Sequence, residues 1–101
     1  MQTSSFRLLN AATYAAERLL ADAIHDEHVS VDAVVVLDAL IDHLGTGGAA
    51  DLETVSAEAQ LTCEQFRRAL SSLDALGYLA ELAEHIPSVA GLRAAALRTA
   101  A

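Results

Sequence analysis

The chain has 101 residues, 53% of them apolar, and a mean hydropathy of +0.34, which excludes a polar disordered segment. No apolar run reaches the ~18 residues needed to cross a bilayer. Fourteen acidic residues against six basic ones, all arginine, give a net charge of −8, which excludes nonspecific nucleic-acid binding through a diffuse basic coat.

A single cysteine, Cys63, permits neither an internal disulfide nor a cysteine-built zinc cage, so one domain over 1–101 is expected to rely on packing. The first residues carry no basic signal segment, and the cytosol is the expected compartment. In chain order, residues 5–24 read as a helix, with Phe6, Leu9, Ala12, Ala16, Leu19 and Ala23 recurring at steps of three and four. That alanine-rich seam lets a second helix come close, either in the domain core or in a partner subunit. Ser30 is the expected N-cap of a central core helix over 30–44, with Val29 and Val34 placed as a hydrophobic staple. Its apolar residues, Val31 to Leu44, cover more than half the circumference, and Asp32, Asp38 and Asp42 keep one strip wet.

Gly45-Thr46-Gly47-Gly48 breaks the chain, and Asp51 caps a short helix over 52–59 with Leu52, Val55 and Ala59 inward. A tight turn at Gln60-Leu61 follows. Thr62 and Gln65 have capping-box spacing for a helix over 63–76, whose buried stripe would be Phe66, Ala69, Leu70, Leu73 and Leu76. Gly77 stops it. Tyr78 to Leu82 fits a short strand or another helix on propensity, and a short strand is expected. Pro87 restricts Ile86 and ends that segment, after which 89–100 reads as a last helix with Val89, Leu92 and Ala96 on one face. The expected fold is therefore all-α or nearly so, with five to six helices and at most a small β remnant.

Residues 51–77 form a helix-turn-helix pattern, and with Gly77-Tyr78-Leu79 they resemble the opening of the sheet in winged-helix proteins. The outward residues of the second helix are Glu64, Gln65, Arg67, Arg68, Ser71, Ser72 and Asp74. Glutamine and arginine can read adenine and guanine edges, and serine reaches phosphates, so Gln65, Arg67, Arg68, Ser71 and Ser72 are the candidate DNA contacts. The wider order of elements resembles the MarR-type winged-helix family over most of the chain. That resemblance implies a homodimer through the terminal helices, 5–24 and 88–101, with Phe6, Leu9, Ala12, Ala16, Leu19, Leu92, Ala96 and Leu97 at the interface. It also implies duplex DNA as partner. The family's basic wing with its Asp-x-Arg signature has no counterpart here, because Ala80 to Pro87 carries Glu81 and Glu84 and no arginine.

Three other constellations carry less chemistry. Asp22, His25 and His28 share a helical spacing but lack a fourth ligand, and Cys63 at a helix start has Glu64 beside it opposing thiolate formation. No nucleophile elbow or phosphate loop is present, so no catalytic, metal or cofactor site is expected. The acidic run Glu17, Asp22, Asp26, Glu27, Asp32, Asp38 and Asp42 supports a rival reading: a wingless acidic interaction module. Such an antirepressor, adaptor or mobile-element-encoded inhibitor would dock a basic protein and leave DNA alone.

Overall fold

In the computed structural model the described residues are 11–48 and 51–100, with side chains described for 14–48 and 51–96. Capping side chains set three of the helix starts. Ser30 Oγ accepts from the Ala33 N–H at 3.1 Å and opens α2, Val31–Gly45, which follows α1, Ala11–Ile24. Asp51 Oδ2 accepts from the Thr54 N–H at 3.2 Å and opens α3, Leu52–Glu58. Thr62 and Gln65 exchange both bonds of a capping box at the start of α4, Cys63–Ala75.

The segment expected to be a strand is a helix. After α4, Gly77 turns the chain at φ +89, and α5, Tyr78–His85, begins directly. Leu79 and Leu82, three apart, both point into the core, a spacing that a strand would split between two faces. Leu76, expected in the buried stripe of α4, is instead the C-cap residue and is exposed. Ile86, held extended before Pro87, ends α5, and α6, Ser88–Ala100, buries Val89, Leu92 and Ala96. Among the described residues there are six helices and no strand, an all-α fold.

One cluster of buried side chains joins all six helices. Helix α2 packs on α1, α3, α4 and α6, with Ala33, Val36, Leu37, Leu40 and Leu44 turned inward. Helix α5 packs on α1, α4 and α6. Ala16, Leu19, Leu92 and Ala96, which the resemblance assigns to a dimer interface, are buried in this one chain's core. The side chains of Phe6, Leu9, Ala12 and Leu97 lie outside the described residues.

A polar tie spans 52 residues of sequence. The Tyr78 hydroxyl donates to Asp26 Oδ2 at 2.9 Å, linking the start of α5 to the corner between α1 and α2. Asp26 Oδ1 also accepts from the His28 backbone N–H at 2.9 Å. That backbone bond, followed by the tyrosine bond, holds the Asp26 carboxyl below the usual carboxylate range. Burial, reinforced by the Asp26 carboxylate, pushes the Tyr78 phenol up to about 12.

The two shifts work at opposite ends of the pH scale. Asp26 contributes stability above its ordinary value of 3.8 and loses it as pH falls through its lower folded value. Tyr78 contributes below its ordinary value of 10.0 and loses it as pH rises toward about 12. Thermal unfolding of the wild type and Tyr78→Phe should therefore show a Tm gap that is level between about pH 5 and 9 and narrows on both sides. A gap independent of pH would show that the hydroxyl's bond to the carboxylate contributes nothing.

Candidate nucleic-acid interface

The turn between α3 and α4 aims the second helix. The Leu61 N–H reaches back to the Ser56 carbonyl at 3.1 Å and the Gln60 N–H to the Ala57 carbonyl at 3.0 Å, the two bonds of a Schellman ending. Gln60 takes the left-handed conformation this requires, at φ +59, and Leu61 packs half-buried against the core. Thr62 then starts α4 at once. Phe66, Ala69, Leu70 and Leu73 face the core, so the opposite side of α4 is left in solvent.

The five sequence-predicted contacts are distributed around that side unequally. Gln65 is exposed, but its Oε1 accepts from the Thr62 N–H at 3.0 Å, so a bidentate adenine contact would require opening the capping box. Arg68 is exposed and its Nη2 lies 2.8 Å from Glu64 Oε2, with both side chains more than three-quarters accessible. An exposed pair of this spacing contributes only about 0.3–0.5 kcal/mol, so a phosphate can displace the glutamate. Ser71 is exposed and Ser72 half-buried.

Arg67 departs from the expectation that it faces outward beside Arg68. Consecutive residues are about 100° apart around a helix, which places the two arginines on opposite flanks of the exposed side. Arg67 is half-buried, and its Nε is enclosed with no hydrogen-bond partner among the described residues. It shares its flank with Asp74, seven residues on, whose Oδ1 pairs with Nε of Arg93 from α6. Sequence reasoning missed Arg93: the two partners are 19 residues apart, and only the packing of α6 on α4 joins them.

The outcome is a local neutralisation of the acidic field. Of the four arginines with described side chains, Arg67, Arg68 and Arg93 stand on or against α4, and Arg18 is on α1. Of the fourteen carboxylates only Glu64 and Asp74 belong to α4, and Asp32 lines the groove it shares with Ser30, Gln65, Arg68 and Ala69. Elsewhere the field is acidic. The other constellations do not assemble a site: no three His, Cys, Asp or Glu side chains among the described residues could hold a metal, and Cys63 Sγ sits half-buried 3.7 Å from Ser56 Oγ.

No helix among the described residues is long and apolar enough to cross a membrane. The chain matches no protein-family model, and the comparisons with curated proteins and with solved structures find no match either.

The left-handed positions on either side of α4 give a test of how its orientation is held. Gln60→Gly removes the cost of a Cβ at positive φ and should raise stability by about 0.5–1 kcal/mol in urea denaturation. Gly77→Ala, where nothing crowds the added Cβ, should lower it by about 1 kcal/mol through backbone strain alone. Equal signs for the two substitutions would contradict this account of the turns.

Proposed function

We propose that the chain is a DNA-binding regulator that lays the exposed side of α4 in the major groove of duplex DNA. The observation that carries this reading is the cluster of Arg67, Arg68 and Arg93 around one uncovered helix face in a molecule that is acidic elsewhere. A strongly negative protein approaches phosphate most readily where its own field is weakest, and at α4 three arginines offset the neighbouring carboxylates. Ser71 adds a phosphate donor, and Gln65 can offer its amide nitrogen while its oxygen keeps the cap.

The resemblance to the MarR-type family belongs to this proposal, as does action in the cytosol as a homodimer. With α5 in the place of the family's wing, the contact is confined to α4 and its flank, which favours weak, salt-sensitive binding to a major groove. Two copies would have to meet through residues other than Ala16, Leu19, Leu92 and Ala96, since the single chain already covers those.

The test is the double substitution Arg67→Ala with Arg68→Ala, read by fluorescence anisotropy on a mixed-sequence duplex across a salt series. Three arginine contacts predict a slope of log K against log salt near −3 per chain, falling to about −1 in the double variant. Stability should move by less than about 1 kcal/mol, most of it from the half-buried stem of Arg67. Absence of binding by the folded wild type at low salt would defeat the regulator reading and leave the acidic module as its successor.

A further inference from the structure

The sequence predicts that apolar residues of α2 cover more than half its circumference, and two of them find no cover. Val31 is 79% exposed and Val35 is 37% exposed. With Asp38 and Asp42 they fall at positions i, i+4, i+7 and i+11, one straight strip about 16 Å long on the side turned away from the core residues of α2. The aspartate end of this strip forms one wall of a groove whose other wall is the end of α3, Glu58, Ala59 and Gln60. Its charged lining residues among the described residues are Asp38, Asp42 and Glu58, with no cation among them.

We infer that this strip and groove dock an amphipathic cationic helix of a protein partner. The ordering of the strip selects the occupant. Two exposed valines one turn apart offer an apolar contact that a free metal ion or a polyamine does not use. Three carboxylates at the other end, with no cation among the described residues of the groove, suit two arginine or lysine side chains spaced to meet them. An antiparallel helix presenting cations at i and i+4 and apolar residues at i+7 and i+11 satisfies both ends at once. The same ordering argues against nucleic acid here, because its phosphates would meet only carboxylates. The inference concerns a different surface from α4 and does not depend on DNA binding.

The probe is an alanine-based helical peptide of about sixteen residues with arginines at i and i+4 and leucines at i+7 and i+11. Two control peptides replace the arginines by glutamate or the leucines by serine. Titration followed by backbone amide NMR should place the perturbations at Val31, Val35, Asp38, Asp42 and Gln60. Each control peptide should bind roughly tenfold more weakly, as should the variants Asp38→Lys with Asp42→Lys and Val31→Ser with Val35→Ser. All four positions are outside the core, and circular dichroism checks that each variant stays folded. The Arg67→Ala, Arg68→Ala chain should bind the peptide like the wild type, which separates this result from the fate of the DNA reading.

No binding at low salt would overturn the inference. So would equal binding of the serine peptide, which would mean charge alone, or perturbations centred on Asp22, Asp26 and Glu81. Self-association of the chain that the Asp38→Lys, Asp42→Lys variant abolishes would overturn it in favour of a second copy as occupant.

Discussion

Burial of Phe66, Ala69, Leu70 and Leu73 against the core decides what the rest of the molecule can present. Those four residues commit one side of α4 to the interior and, by the helical repeat, commit Glu64, Arg68 and Ser71 to solvent. Everything nearby serves that orientation. The Schellman ending of α3 delivers the chain to Thr62, the capping box starts α4 without a loop, and Gly77 at positive φ turns the chain so that α5 leads into α6. The return of α6 brings Arg93 to Asp74 and completes the only place on the described surface where arginines gather. A large-to-small change at Phe66, costing about 3–5 kcal/mol, would therefore disturb both the fold and the face it supports.

The electrostatic consequence is a molecule with two unlike sides. Twelve of its carboxylates lie off α4, and at physiological ionic strength their influence fades over about 8 Å. Local charges at a contact can then prevail over net charge at close range, while the net charge slows approach from a distance. Weakly held surface pairs fit this balance. Glu64 occupies Arg68 when no other anion is present and is easily displaced. On α2, Asp38, Asp42 and Glu58 share a groove with no cation among its described lining residues.

Local signals were legible in the sequence wherever one residue acts on its near neighbours. Ser30, Asp51 and Thr62 cap the helices whose starts they were expected to mark, and the three-and-four spacing of apolar residues located the inward faces of α2, α4 and α6. The segment after Gly77 was not legible, since the propensities of Tyr78 to Leu82 left strand and helix open. The inward pair Leu79 and Leu82 is the signal that could have decided it. The alanine seam of α1 suits a subunit interface and a core equally, and the core uses Ala16 and Leu19. Contacts between distant residues, Asp26 with Tyr78 and Asp74 with Arg93, have no sequence signature because packing alone creates them. Within the candidate site, adjacency of Arg67 and Arg68 in sequence conceals that they stand on opposite flanks of α4.

If the proposed DNA binding holds, nucleic acid meets this protein at α4 and its flank and nowhere else. An NMR titration with a mixed-sequence duplex of about fifteen base pairs at low salt, where electrostatic attraction is strongest, addresses it residue by residue. The account predicts amide and guanidinium shifts confined to Gln65, Arg67, Arg68, Ser71 and Arg93, with α2 residues Asp38 and Asp42 unmoved. Shifts spread over other faces, or a spectrum unchanged by DNA, would contradict it.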